Sequence, residues 1–233
     1  MAGVGLDLYV GPLTRYYLGD WQSITQQLGA QMGYEVQIVR PEPVDRETDP
    51  EVVLEAVRNW QAWIGGALGS AQDWSEGPAL PYWTDKPDWD GYGAVALLAA
   101  YDERPDLRGD ADDPRTFGEA AAYQKAAQPE RYYSLLAGVE WWLPLSVDPG
   151  VIEAPPPAGD PIRMASVDRL LGELRVLGER TGILAGGDLE EVRRAGPADR
   201  GAPVEEVARF GLAVMLGLAE SAAEHRQPVL MDY

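Results

Sequence analysis

Apolar positions recur along this chain in two periods, and each period predicts a kind of element. Near the N-terminus Val4, Leu6, Leu8 and Val10 alternate with Gly5, Asp7 and Tyr9. A period of two with one apolar side predicts a half-buried strand, closed by Gly11-Pro12. Ile24, Leu28 and Met32 share a helical stripe, so a helix is expected over about residues 20–31. Asp20 is its expected N-cap and Gly33 its C-terminal stop. Residues 34–40 (YEVQIVR) read as a second strand, and strand–helix–strand order favours a parallel pair with a right-handed crossover.

Asp49-Pro50-Glu51 combines an N-cap, a proline at the first helical position and an acid in the first turn. Val53, Val57, Trp60, Ile64 and Leu68 then repeat at spacings of three and four, which gives that helix one core face. Residues 91–103 are apolar enough for a buried helix, and 102–113 are charged enough for a solvated loop. Short helices are expected from Pro114 to about 127 and over 130–139. Residues 140–147, 151–154 and 162–165 read as three short strands separated by turn residues, a small antiparallel meander.

Ser166 opens a helix to about residue 180 with Val167, Leu170, Leu171, Leu174 and Leu177 inward. Asp188 caps a short helix that Gly196 stops. Pro203 starts the last helix, and 228–231 is a final strand that ties the terminus into the sheet. The expected fold is α+β: one globular domain over residues 1–233. Its sheet is mixed, with an N-terminal βαβ unit and a later antiparallel meander, and several helices pack it.

Composition narrows the partners. The 233 residues carry a formal net charge of −19, a field that repels phosphate backbones. Neither nucleic acid nor a membrane surface is expected as a partner. Residues 1–120 hold 21 acidic against 8 basic side chains, so the first half is the more acidic. There is no cysteine, which removes disulfides, thiolate metal sites and cysteine nucleophiles. No signal peptide or membrane span is read in the sequence, so a cytoplasmic location is the expectation. Arginine outnumbers lysine 17 to 2, which points to a GC-rich bacterial genome.

Several chemistries fail on residues. His225 is the single histidine, at the end of the last helix, where the helix dipole favours it as a structural residue. No G-x-S-x-G, S-x-x-K or Gly-Lys occurs, so nucleophile elbows and phosphate-binding P-loops are absent. Asp88-x-Asp90-Gly91 resembles the start of a calcium loop, but Lys86 and Leu97 would occupy positions that need ligands. No cofactor or metal is expected.

Three constellations remain. Residues 74–92 (WSEGPALPYWTDKPDWDGY) set Trp74, Tyr82, Trp83, Trp89 and Tyr92 among Glu76, Asp85, Asp88 and Asp90. Aromatic faces stack on sugars or cations, and carboxylates bind hydroxyl or ammonium groups. Tyr16-Tyr17-Leu18-Gly19-Asp20-Trp21 follows the first strand, where α/β units often place ligands. Glu140-Trp141-Trp142 lies in a strand, so its two tryptophans face opposite sides. The candidate binding residues are Trp83, Asp85, Asp88, Trp89, Asp90, Tyr92, Tyr17, Trp21 and Trp142.

The leading expectation is an interaction protein that binds a basic partner, as an inhibitor or immunity-type protein would, through an acidic aromatic face. The alternative is a small-molecule or carbohydrate site, binding or hydrolytic, on the 74–92 loop. A third class is a homo-oligomer joined through the Trp141–Trp142 region.

Overall fold

A computed structural model describes residues 5–36, 49–109, 112–126, 129–186, 188–199 and 201–233. It is an α+β fold built on a six-stranded mixed sheet. In chain order the regular elements are β1 (Asp7–Val10), α1 (Leu13–Leu18), α2 (Ile24–Gln31), α3 (Pro50–Leu68), β2 (Trp83–Asp85) and α4 (Asp88–Glu103). Then come α5 (Ala121–Lys125), α6 (Tyr133–Leu136), β3 (Trp141–Leu143), β4 (Ile152–Ala154), β5 (Ile162–Ser166), α7 (Val167–Thr181), α8 (Leu189–Ala195), α9 (Val204–His225) and β6 (Val229–Asp232).

The strand order is β2-β1-β6-β3-β5-β4. The last strand therefore lies inside the sheet, antiparallel to both β1 and β3. β1 also pairs antiparallel with β2, so both of its sheet neighbours run against it. The strand expected at 34–40 falls mostly outside the described residues, and Tyr34–Val36 are not in a strand. The expected meander takes a different form. β4 and β5 make an antiparallel hairpin, but β3 pairs in parallel with β5.

Side-chain alternation builds two cores. Leu8, Val10, Trp142, Ala165, Val229 and Met231 point to the side covered by α4, α7 and α9. Tyr9, Trp141, Leu143, Met164 and Leu230 point to the other side, where α1 and α3 bring Leu13, Val53, Val57, Trp60 and Ile64. The sheet is thus sandwiched, with every internal strand apolar on both faces. α4 is buried all round from Gly91 to Tyr101, as a helix between a sheet and other helices must be. It crosses α9 where Gly91 meets Gly211, and a Cβ on Gly211 would lie 2.3 Å from the Gly91 carbonyl oxygen.

Local signals set most helix ends. Asp49 accepts the amide of Glu51 at 2.9 Å and Pro50 is the first helical residue. Ser166 accepts the amide of Arg169, and Asp188 that of Glu190. Asp20 does not cap α2. Ser23 does, through reciprocal bonds with Gln26, and Tyr16-Tyr17 belong to a separate short helix, α1. The intervening Gly19 takes the left-handed conformation (φ 68°) that ends α1.

α1 and α6 have no capping side chain of their own, and a glutamate distant in sequence serves each. Glu76 accepts the amides of Leu13 and Thr14, the Thr14 hydroxyl and the Trp74 indole N–H, all within 3.1 Å. Glu173 accepts the amides of Ser134 and Leu135 and the Ser134 hydroxyl. These bonds satisfy helix-terminal donors that burial would otherwise leave unpaired.

Candidate functional site: an acidic cleft and an aromatic notch

The 74–92 segment is not a continuous loop. It contains β2 and the first turn of α4, and its aromatic and acidic residues separate to different surroundings. Asp85, Asp88 and Asp90 line a cleft of about 1180 Å³ between α2, α8, the start of α4 and residues 196–199 and 201–202. Trp83, Trp89 and Tyr92 do not line it. Trp83 lies against His225, ring centroids 4.3 Å apart. Trp89 packs edge-on against Tyr92 and Tyr233. Tyr92 is buried in the α4 core, where burial raises its phenol above the ordinary value. A sugar in the cleft would therefore meet carboxylates without the stacking rings read beside them in sequence.

The cleft is acidic by composition: seven carboxylates and four basic side chains line it. Three of the acids are held by arginine. Asp90 accepts two bonds from Arg115, at 2.8 and 3.0 Å. Asp85 accepts two from Arg193, at 3.1 and 2.8 Å, and Glu190 takes a third nitrogen of the same guanidinium. Burial draws the Arg193 pKa down, but the bonds to Asp85 outweigh it and the net direction is upward. Arg193 reaches Asp85 by passing Gly217 of α9, where an added Cβ would stand 2.8 Å from its Nη1.

Asp88, Asp112, Asp113 and Asp199 also line the cleft, and none has an ion-pair partner among the described residues. Asp88 holds a left-handed backbone (φ 55°) at the start of α4, a conformation aspartate tolerates better than most residues. Its side chain accepts the amide of Trp89 at 2.9 Å. Ile24, Leu28, Val207 and Phe210 give the cleft apolar walls.

The second and third sequence constellations meet at a smaller concavity. This notch, about 330 Å³, lies over the edge of β3 and β6 and under the 156–160 loop. α1 supplies Tyr16 and Tyr17, the β3 segment supplies Glu140 and Trp141, and the C-terminal segment supplies Asp232 and Tyr233. Strand alternation decides which tryptophan takes part. Trp142 is fully buried on the α4/α7/α9 side, its indole nitrogen without a hydrogen-bond partner, and has no surface to offer a ligand. Trp141 is the one that lines the notch. Trp21 is half-buried, stacked on Tyr16 at 5.8 Å and tilted against Tyr9 at 5.2 Å.

Arg115, Arg193, Asp232 and Tyr233 line these concavities although no sequence motif marks them. Nothing in sequence ties the arginines to Asp90 and Asp85. The C-terminal Met-Asp-Tyr offered one signal: an alternating strand end that sets an acid beside a tyrosine.

Among the described residues no helix is long and apolar enough to cross a membrane, and no three His, Asp or Glu side chains are grouped to hold a metal ion. Compared with known proteins, the chain matches no family model, no curated protein and no solved structure.

Proposed function

We propose that this protein is a binding module for a basic protein partner, whose cationic segment lies in the acidic cleft. The observation that carries this reading is the row of carboxylates at Asp88, Asp112, Asp113 and Asp199 without ion-pair partners among the described residues. A net charge of −19 supports it at longer range. Such a field raises encounter rates with a cation, and the local carboxylates then fix its register. The cleft exceeds the usual range of metabolite sites, roughly 300–1,000 Å³, and suits an extended segment or a loop better than a small molecule.

The test is a titration of a Lys/Arg-rich peptide, followed by fluorescence anisotropy at low and moderate salt. The expected result is salt-sensitive binding that weakens by more than about tenfold when Asp88, Asp112, Asp113 and Asp199 are changed to Asn. A control variant of equal charge, with Glu51, Glu55, Glu179 and Glu224 changed to Gln, should keep most of the affinity. Equal losses in both variants would mean that net charge alone attracts the peptide, and the cleft assignment would fall. Parallel pull-downs from the native lysate with the wild type and the Asn variant would then name the partner as the protein lost only from the variant.

A further inference from the structure

We infer that the partner segment bound in the acidic cleft is amphipathic: apolar side chains stand between its basic ones, and Ile24 and Leu28 of α2 receive them. The inference rests on the reading of the cleft as the site of a basic protein partner. It adds what the carboxylates alone do not specify.

The placement of the α2 stripe carries it. Ile24, Leu28 and Met32 share one face of the helical period, the pattern of a core-facing helix. In the structure none of the three enters either core. Gly29 is the one buried residue of α2, while Leu28 is 48 % exposed and Met32 67 %. Polar bonds hold the helix instead. Gln27 donates to the Thr84 hydroxyl of β2 at 2.9 Å, and Ser23 and Gln26 cap each other. Core packing therefore does not account for the stripe. Ile24 and Leu28, one helical turn apart, line the cleft together with the half-buried Val207 of α9 and the exposed Pro197. An exposed apolar patch rimmed by polar groups marks an interaction surface.

The fold sets this patch beside the acids. Gly91 of α4 meets Gly211 of α9 backbone to backbone. Asp88 precedes Gly91 by three residues and Val207 precedes Gly211 by four, so both stand about one turn from the crossing. Gly93 admits the carbonyl of Pro114, which brings Asp112 and Asp113 to the same end of α4. The lining as a whole holds three more carboxylates than basic side chains.

Charge complementarity thus selects a cationic occupant, and the patch selects one with apolar side chains as well. A polyamine or an oligolysine stretch would leave Leu28 in water. An apolar peptide would leave the carboxylates unanswered. A second copy of this chain would bring a like charge of −19. The occupant that answers both features is a segment of another protein in which Lys or Arg is interspersed with aliphatic side chains.

The test uses peptides of equal length and charge. In one set a pair of Leu residues moves one position at a time along a Lys/Gly frame; in the parent frame Ser takes their places. Fluorescence anisotropy follows binding at low and moderate salt. The best Leu peptide is expected to bind the wild type at least about tenfold more tightly than its Ser parent. Salt should weaken both by the same factor, because apolar contact is not screened. Leu28→Gln keeps the charge and the helix propensity and should leave the melting temperature unchanged. It should cut the preference for Leu at least about threefold, and Ile24→Gln with Leu28→Gln should abolish it, with the affinity for the Ser parent retained. Val52→Gln with Trp63→Gln changes two exposed α3 positions that do not line the cleft and should leave the preference intact.

Equal binding of Leu and Ser peptides, or a preference that survives the double Gln variant, would overturn the inference. If those peptides still lose affinity in the four-Asn variant, the basic-partner reading stands without it. A lowered melting temperature for Leu28→Gln would mean that the chain itself covers this side chain, and would also overturn the inference. Peptides that bind the four-Asn variant as tightly as the wild type would overturn the basic-partner reading, and the inference with it.

Discussion

Thr14 gives Glu76 two hydrogen bonds, one from its amide and one from its hydroxyl, both 2.9 Å long. With the bonds from Leu13 and Trp74, this carboxylate fixes the first turn of α1 to the 74–76 segment. Since α1 carries Tyr16 and Tyr17, Glu76 also positions two walls of the notch. Removing it by Glu76→Ala would leave buried donors unpaired and should cost about 3 kcal/mol, measured by urea unfolding. Glu76→Gln keeps one acceptor oxygen and should cost less. A loss below about 1 kcal/mol for the alanine variant would show that the turn holds without its remote cap.

Glu76 also sets a pH dependence. Burial raises its pKa above the ordinary 4.5, although the bonds from Thr14, Trp74 and Leu13 pull the other way. An acid with a raised folded-state pKa contributes stability that is fully present below the unfolded value and is lost as pH rises through the folded one. The stability of the wild type relative to Glu76→Gln should therefore fall as pH climbs above 4.5. Chemical denaturation of both proteins at a series of pH values checks this, and a difference that grows with pH would reverse the assignment.

Asp102 behaves in the opposite sense. The hydrogen bonds from Arg180 hold its carboxyl below the ordinary 3.8, against the effect of burial, and the Tyr132 hydroxyl assists. This contribution is present above the unfolded pKa and is lost as pH falls through the lower folded value. Arg180→Gln should move the acid-unfolding midpoint to higher pH, read by circular dichroism. An unchanged midpoint would mean that the pair is too solvated to contribute.

At the α4–α9 crossing, Gly211→Ala would place a methyl 2.3 Å from the Gly91 carbonyl oxygen. Backbone cannot yield as a flexible side chain does, so the helices must part. The expected cost is about 2–3 kcal/mol, although alanine is the better helix former by about 1 kcal/mol. Thermal unfolding decides the sign: a stabilised variant would show that the crossing has slack.

Asp85 and Arg193 should be energetically coupled. Their side chains are only 17 % and 26 % exposed, so a double-mutant cycle with Asp85→Asn and Arg193→Met is expected to give about 1 kcal/mol of interaction. Gly217→Ala should reproduce part of the Arg193→Met effect, because its Cβ would stand 2.8 Å from the guanidinium. Additive single effects would mean that the pair forms without contributing to stability.

Local features carried over from sequence to structure where the physics is local. Asp49-Pro50-Glu51, Ser166, Asp188 and Gly196 mark helix ends in both, because a cap and its partner amide lie within one turn. The exception is α2. Asp20 and Ser23 are both good capping residues, and the choice of Ser23 went with its partner Gln26, three residues on. β2 leaves no periodic signal in the sequence, because three residues cannot display a period.

The sequence by itself determined the acidity, the absence of cysteine, the helices with long apolar stripes and the α+β class. These depend on composition and on periods that survive without neighbours. Only the tertiary structure decided where β6 enters the sheet, that β3 runs parallel to β5, and which of Trp141 and Trp142 lines a surface concavity. Alternation sends the two tryptophans to opposite faces, but only what packs on each face decides the outcome: α4, α7 and α9 seal one, and α1 leaves a notch at the edge of the other. The same holds for the carboxylates. Asp85 meets an arginine 108 positions away, and the notch gathers residues from 16–17, 140–141 and 232–233. Contacts of that sequence separation follow from how the whole sheet closes, which no local pattern records.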